Sequence, residues 1–148
     1  MNKAGSPGFI LCKRSRDFKL INGLVFVARW EFTFALSFTS LQMNILFICS
    51  RNNWRSPTAE AIYKSREDHH FRSAGTEPSA RNRVSSKDIL WADIIFAMEK
   101  KHKQRLEQNF PGETTNKRVV ILDIGDHYGY MDKELVEIIQ LTVDPYLE

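Results

Sequence analysis

The sequence predicts an α/β fold, a three-layer αβα arrangement around a four-stranded parallel sheet. Strand-like and helix-like patterns alternate over residues 43–148, and this alternation is typical of parallel strands joined by helical crossovers. Residues 93–98 are nearly all apolar, which is expected of a strand buried on both faces of such a sheet. The 148 residues of the chain are enough for one domain.

The individual elements follow from apolar runs and from helix-start signals. Apolar or β-branched runs predict four strands, at residues 44–48, 71–74, 93–98 and 118–122. Four helices are predicted at residues 57–67, 85–91, 100–110 and 133–141. Their start signals are Ser56 before Pro57, Ser85 or Ser86, and Asp132. Pro111 and Gly112 are expected to end the third helix.

Residues 1–42 differ in composition from the rest of the chain. They hold 6 Lys/Arg and 2 Asp/Glu, whereas residues 43–148 hold 15 and 16. Their apolar stretch is interrupted by Asn22, Arg29 and Glu31, so it predicts neither a membrane span nor a signal peptide. We predict that residues 1–42 are an extension outside the fold, with an over-called translation start as the leading explanation. An amphipathic arm on a membrane surface is the alternative.

Charge and cysteine content exclude several classes of protein. The net charge of residues 43–148 is −1, so the predicted domain lacks the basic surface of a nucleic-acid binder. The only two cysteines are Cys12 and Cys49, which is too few for a disulfide framework and suits a reducing, cytoplasmic setting. No pattern in the sequence determines the oligomeric state.

A candidate phosphate-binding loop follows the first predicted strand. Cys49 begins it and Arg55 lies six residues later, just before the first helix. Backbone N–H groups and a helix amino end favour an anion there, and they favour the thiolate form of a cysteine. The arginine fork can hold two phosphate oxygens in front of the sulfur. The pattern predicts metal-free chemistry through a phosphocysteine, with phosphate bound by Ser50, Arg51, Asn52, Asn53, Trp54, Arg55 and Ser56.

Three segments resemble the low-molecular-weight protein tyrosine phosphatases. Cys49-Ser-Arg-Asn-Asn-Trp-Arg55-Ser56-Pro57 is similar to their phosphate loop, and Asn52 matches an asparagine of that loop. Residues 71–76 and 91–99 resemble the family's second and third strands. The resemblance extends from Met43 to the C-terminus and is closest to a short, predicted tyrosine-phosphatase branch.

The resemblance implies a phosphotyrosine protein phosphatase I-like fold and the hydrolysis of an aryl phosphate, with no cofactor or metal. The substrate would be a phosphotyrosine protein or a small aryl phosphate. A general acid is also implied, because the leaving oxygen needs a proton. The family carries its acid in an Asp-Pro-Tyr sequence after the fourth strand.

Three aspartates compete for the role of general acid. Asp144 lies in an apparent Asp-Pro-Tyr match, but it follows the last helix, so we interpret this match as a decoy. Counting back from the last helix puts Asp126 in the family's register, and Asp123 is the second choice. Tyr128 then matches an aromatic residue that flanks the substrate ring, which predicts a substrate wall.

Several residues depart from the family or have simpler interpretations. Arg51 replaces a glycine of the larger enzymes, and it would be costly if that position required positive φ. Asn52 suits a left-handed backbone position. Trp54 replaces a second cysteine and is a candidate for the entrance wall. We expect His69, His70 and His102 to be solvated. The short segment between residues 76 and 88 predicts a shallow, open cleft.

Other functions remain as alternatives to the phosphatase. A non-catalytic phosphate-binding or phosphoprotein-binding module could use the same loop. An arsenate reductase would need further cysteines, and only Cys12 is available. A phosphocysteine carrier of the sugar phosphotransferase type would need neither Arg55 nor an acid on another loop.

Overall fold

A computed structural model describes residues 42–148 of the chain. We predicted that residues 1–42 form an extension, and all of this segment except Gln42 lies outside the described residues. Cys12 lies outside them too. Over the described residues, no helix has both the length and the apolar character needed to cross a membrane.

Strands and helices alternate along the described residues as the sequence predicts. In chain order they are β1 (Asn44–Cys49), α1 (Arg55–Tyr63), β2 (His70–Gly75), α2 (Ser86–Trp91), β3 (Ile94–Ala97), α3 (Lys100–Asn109), α4 (Pro111–Thr114), β4 (Arg118–Ile121) and α5 (Lys133–Val143), followed by a 3-10 turn (Asp144–Tyr146). All strands pair in parallel, in the order β2-β1-β3-β4. The predicted four-stranded parallel sheet is confirmed.

The central strand β1 is buried on both faces because its apolar side chains alternate between two cores. Ile45 and Phe47 pack with residues of α1 and α5 on one face. Leu46 and Ile48 pack with residues of α2 and α3 on the other face. Helices therefore cover both faces of the sheet, which is the predicted three-layer arrangement.

The connections leave β1 and β3 on opposite faces. The chain passes from β1 to α1 on one side of the sheet, and from β3 to α3 on the other side. Such a topological switch opens a crevice at the carboxyl ends of two neighbouring strands, where α/β proteins bind ligands. The residues that follow β1 and β3, from Ser50 and from Met98 onward, meet at this crevice.

Some helix boundaries differ from the sequence-based prediction. Helix α1 begins at Arg55, not at Pro57, and its N-cap Trp54 makes no side-chain capping bond. Ser56 is therefore not the cap, because its hydroxyl donates to Cys49 instead. Helix α4 was not predicted, since Pro111 both ends α3 and occupies the first turn of a new helix.

Two of the predicted caps are confirmed. Ser85, rather than Ser86, caps α2 in a capping box with Asp88. The Asp132 carboxylate accepts hydrogen bonds from the first turn of α5.

Gly75 ends β2 and lies directly against the loop that follows β1. It pairs with Cys49 in the sheet register. A Cβ at this position would lie 2.6 Å from the Ser50 carbonyl oxygen and 2.6 Å from the Ala80 Cβ. The close approach leaves room for glycine only.

We predict that Gly75→Ala lowers the free energy of unfolding by about 1–3 kcal/mol, because the added methyl group overpacks backbone that cannot move aside. Urea denaturation measures the loss. Gly112→Ala is the matched control, since no atom lies within 4 Å of a Cβ at Gly112, and it should be neutral or slightly stabilising in a helix. A Gly75→Ala protein as stable as the wild type would contradict the packing described here.

Candidate active site

A small cavity lies at the carboxyl end of β1. Its volume is about 100 Å³. The loop between β1 and α1 supplies most of its lining, and one residue comes from the loop after β4. The lining residues are Cys49, Ser50, Arg51, Asn53, Trp54, Arg55 and Asp126. Six of these seven belong to the loop that the sequence predicts to bind phosphate, and the seventh is the predicted general acid.

The carbonyl groups of the phosphate-binding loop point away from the cavity, toward the segment that follows β2. Thr76 N–H donates to the Cys49 carbonyl at 3.0 Å, and Glu77 N–H donates to the Ser50 carbonyl at 2.9 Å. Arg81 N–H donates to a third carbonyl, that of Arg51, at 2.9 Å. With its carbonyls held outside, the loop can direct N–H groups inward, as an anion-binding nest requires. The short segment after β2 thus braces the loop.

Asn52 makes the turn of the loop possible. Its φ is 55°, which confirms the predicted left-handed position, and Asn tolerates this conformation better than most residues. Its side-chain amide donates to Ser56 Oγ at 3.0 Å and to Ser73 Oγ at 2.9 Å. Ser73 in turn donates to Glu60. This buried chain of hydrogen bonds ties the loop to α1 and β2.

The sulfur of Cys49 lies at the focus of the loop. Asn52 N–H donates to Cys49 Sγ at 3.2 Å, and the Ser56 hydroxyl donates to it at 3.0 Å. Cys49 is 3% exposed, and within residues 42–148 no disulfide joins it to another residue. Two donors aimed at one sulfur stabilise negative charge on it, and this is the state in which cysteine acts as a nucleophile or leaving group.

The guanidinium of Arg55 is buried, at 2% exposed, and most of its donors are already engaged. Nη1 donates to Glu99 Oε1 at 2.6 Å and to the Ile124 carbonyl at 2.7 Å. Nη2 lies 2.7 Å from Asp126 Oδ1. Because Nη1 carries only two hydrogens, Nε and the second hydrogen of Nη2 are left to grip two oxygens of an anion.

Glu99 supplies the charge that allows Arg55 to be buried. Desolvation raises the pKa of Glu99, but hydrogen bonds from Arg55 and Lys101 outweigh it and bring the pKa below its usual value. Glu99 lies two residues after the end of β3, at the crevice that the topology opens. The sequence-based reasoning did not assign it a role, although an acid directly after a central strand was the available signal.

Two histidines expected to be solvated are buried. His102 is 0% exposed, and its ring bridges two elements: Glu99 N–H donates to Nδ1 at 3.0 Å, and Nε2 lies 2.9 Å from Ser50 Oγ. His69 is 5% exposed and joins the start of β1 to the Leu147 carbonyl. The prediction was wrong because the charged residues beside these histidines in sequence do not reveal which face of a segment packs against the rest of the fold. His70 is exposed, as predicted.

Tyr128 does not reach the cavity, so its predicted place as a substrate wall is corrected. Its ring is 8% exposed within the core beside α5, and its hydroxyl lies 3.3 Å from Glu134 Oε1. Trp54 is 51% exposed at the cavity edge, where the sequence places a possible entrance wall.

The three candidate aspartates lie in different places. Asp126 lines the cavity and pairs with Arg55. Asp123 is exposed, has a φ of 56° and is absent from the cavity lining. Asp144 accepts a hydrogen bond from Tyr63, at the far end of α1 from the cavity. This placement agrees with the interpretation of Asp144 as a decoy.

Arg51 carries no backbone strain. The non-glycine residues with positive φ in the described part of the chain are Asn52, Asp123 and Met131, so the expected cost of arginine at position 51 does not arise. Its side chain is exposed at the rim and pairs with Glu77 at 3.2 Å. In this same part of the chain, no three His, Cys, Asp or Glu side chains converge as metal ligands.

The buried His102 makes the stability of the domain depend on pH. Burial, together with the charge of Arg55, lowers the pKa of His102 from 6.5 to about 4. Below pH 6.5 the unfolded chain therefore binds a proton that the folded chain does not bind until about pH 4. We predict that this histidine removes about 3 kcal/mol of unfolding free energy between pH 7 and pH 4.

Urea denaturation at pH 7, 6, 5 and 4 measures this dependence. The difference between the wild type and His102→Asn isolates it from the titration of carboxylates. His70→Asn changes an exposed histidine and should retain the wild-type dependence. An identical pH dependence in the wild type and His102→Asn would contradict the prediction.

No protein-family model matches the chain, and no curated protein matches it in sequence. Solved structures do match. The tyrosine phosphatase Wzb from Escherichia coli K30, in complex with phosphate, is 18% identical with a TM-score of 0.59, over 74% of this chain and 94% of its own. YwlE arginine phosphatase from Geobacillus stearothermophilus is 20% identical with a TM-score of 0.57, over 71% and 90%. A low molecular weight protein tyrosine phosphatase from Bacillus subtilis is 23% identical with a TM-score of 0.53, over 70% and 98%. At these identities the likeness establishes the fold, and the fold of this chain is that of the low-molecular-weight protein tyrosine phosphatases, as its motifs predicted.

Proposed function

We propose that this protein is a phosphomonoesterase of the tyrosine-phosphatase type, which hydrolyses an aryl phosphate through a phosphocysteine intermediate without a metal or cofactor. The observation that carries the proposal is the convergence of two hydrogen-bond donors on Cys49 Sγ, beside the buried guanidinium of Arg55. A nucleophile, an anion clamp and an acid line one cavity, which is the set of groups that this chemistry needs.

The first step transfers the phosphoryl group to sulfur. Cys49 Sγ attacks phosphorus, the bond from phosphorus to the leaving oxygen breaks, and Asp126 gives its proton to that oxygen. Loop N–H groups and the free edge of Arg55 hold the three remaining phosphate oxygens. The positive charge of Arg55 stabilises the negative charge on these oxygens throughout the transfer.

The second step releases phosphate and restores the enzyme. The Asp126 carboxylate takes a proton from water, the water oxygen attacks phosphorus, and the S–P bond breaks to return the thiolate. Ser56 Oγ lies 3.0 Å from Cys49 Sγ and donates to the sulfur as negative charge returns to it. Inorganic phosphate then leaves the cavity.

Asp126 must break an ion pair with Arg55 during this cycle. In the unliganded cavity its carboxylate is ion-paired with Nη2 of Arg55. A bound phosphate competes for the same nitrogen, so binding frees the Asp126 carboxylate, which takes up a proton from solvent before it donates to the leaving oxygen. The Asp126 side chain is 58% exposed, which gives it room to move.

The substrate class is drawn from the shape of the cavity and from the related structures. The exposed Trp54 and the charged Arg51 stand at the rim, so an aromatic leaving group and nearby acidic side chains would both find a partner. We propose a phosphotyrosine protein or a small aryl phosphate. Because the structural neighbours include an arginine phosphatase as well as tyrosine phosphatases, phosphoarginine is a necessary comparison. A working thiol also suits a reducing compartment, and we propose the cytoplasm.

The alternative is a module that binds phosphate without hydrolysing it. The ion pair between Arg55 and Asp126 favours this module, since a carboxylate already occupies part of the anion clamp. The module and the enzyme differ in turnover, not in binding. One assay separates them.

We predict metal-independent hydrolysis of para-nitrophenyl phosphate in the presence of EDTA. Cys49→Ser should abolish turnover, because a serine hydroxyl at this position is a far weaker nucleophile than a thiolate. The same variant should still bind vanadate or inorganic phosphate, which calorimetry measures. Binding without turnover in the wild type would favour the module, and turnover that survives Cys49→Ser would exclude the phosphocysteine.

We predict that Asp126→Asn lowers kcat by about 10²–10⁴-fold for phenyl phosphate, which is the usual contribution of a general acid. The loss should be smaller for para-nitrophenyl phosphate, because its leaving group needs less help from a proton. Asp123→Asn is the matched control, since Asp123 does not line the cavity, and it should retain wild-type turnover. Equal losses for the two substrates, or none at all, would remove Asp126 from the role.

A further inference from the structure

His102 is a buried histidine that contacts the phosphate-binding loop from behind. Its ring lies outside the cavity lining, yet Nε2 is 2.9 Å from the hydroxyl oxygen of Ser50, which does line the cavity. Ser50 directly follows the nucleophile Cys49 and is 6% exposed. A path of two hydrogen bonds thus connects the start of α3 to the cavity wall.

The geometry determines which ring nitrogen carries the proton. Glu99 N–H points at Nδ1 at 3.0 Å, and since an amide N–H can only donate, Nδ1 must be an acceptor without a proton. In the neutral ring the hydrogen is then on Nε2, which donates it to Ser50 Oγ. Ser50 Oγ therefore accepts from His102 through one lone pair, and the hydrogen of the Ser50 hydroxyl remains available to donate.

The surroundings of His102 keep the ring neutral. The charged groups that face it are Arg55, Lys101 and Arg105, with Glu99 as the one opposing charge. Burial and these cations place its pKa at about 4. The ring is therefore neutral well above pH 4, and the hydrogen bond from Glu99 N–H then determines its tautomer.

The hydroxyl hydrogen of Ser50 is available for a second hydrogen bond. Among the hydrogen bonds of residues 42–148, Ser50 Oγ takes part only in the one with His102. Ser50 lines the cavity, and a hydroxyl whose oxygen accepts from His102 still has its own hydrogen available to donate to an anion bound there. The oxygens of a bound phosphoryl group would receive this bond.

We propose that His102 is a positioning residue that orients the Ser50 hydroxyl as a hydrogen-bond donor to a phosphoryl oxygen. This inference rests on the proposed function only in that the cavity must bind phosphate. It makes Ser50 a side-chain ligand in addition to the loop amides.

Two substitutions of His102 separate its two hydrogen bonds. In His102→Asn, the side-chain oxygen can replace Nδ1 and accept from Glu99 N–H, but the side chain is too short to reach Ser50. In His102→Gln, the amide nitrogen can replace Nε2 and donate to Ser50. We expect His102→Asn to weaken phosphate binding and His102→Gln to restore much of it.

The binding of inorganic phosphate, measured by calorimetry, is the main readout. Loss of one oriented donor is expected to raise Kd about fivefold to tenfold in His102→Asn and in Ser50→Ala. If His102 acts through Ser50, the double variant that combines His102→Asn with Ser50→Ala should bind phosphate no more weakly than Ser50→Ala alone. Where turnover is measurable, kcat/KM should follow the same pattern.

Additive losses in the double variant would overturn the proposal, because they would mean that His102 acts through overall structure. Wild-type phosphate affinity in His102→Asn, or the absence of phosphate binding in the wild type, would overturn it too. His70→Asn, at an exposed histidine, is the matched control and should bind like the wild type. A wild-type protein that binds phosphate with the expected pattern but never hydrolyses it would refute the phosphatase and leave this inference intact.

Discussion

The outward orientation of three carbonyl groups is the constraint on which the rest of the site depends. The carbonyls of Cys49, Ser50 and Arg51 are each bound by an N–H of the segment after β2. Once they are held there, the loop can turn its amides toward Cys49 Sγ without leaving buried carbonyls unsatisfied. Gly75 permits the close approach of the two segments, because any side chain on it would meet the Ser50 carbonyl.

A second constraint is the burial of a positive charge. Arg55 is almost fully buried, and an isolated charge in that position would be very unfavourable. Two carboxylates and one carbonyl offset this cost. The arrangement leaves one edge of the guanidinium free, so the partners that stabilise the arginine also determine the direction from which an anion can approach.

Many parts of the fold could be predicted from the sequence because they depend on local signals. The nearly all-apolar run of residues 93–98 indicates a strand buried on both faces, which the structure has at Ile94–Ala97, and the Ser85 and Asp132 caps mark helix starts. The residues at which helices begin and end were less predictable. The sequence around Ser56 predicts a helix cap, but its hydroxyl donates to Cys49 Sγ, seven residues away in sequence. No local pattern indicates that another acceptor competes for this hydroxyl.

The histidines and the aromatic residue show where local reasoning fails. His102 lies in a run of lysines, yet its ring is buried and contacts Ser50 of the loop. Tyr128 was expected at the substrate and is instead packed in the core. Burial depends on which face of an element meets another element, and this is a property of the assembled sheet.

The sequence by itself determined the alternation of strands and helices, the cysteine-to-arginine loop and the left-handed position of Asn52. These features are carried by residues adjacent in the chain, whose conformational preferences act locally. Only the tertiary structure decided that Glu99 partners Arg55, that Asp126 rather than Asp123 lines the cavity, and that His102 reaches Ser50. These contacts join residues from about 40 to 70 positions apart in sequence, and they form because parallel strands bring their carboxyl ends to one edge of the sheet.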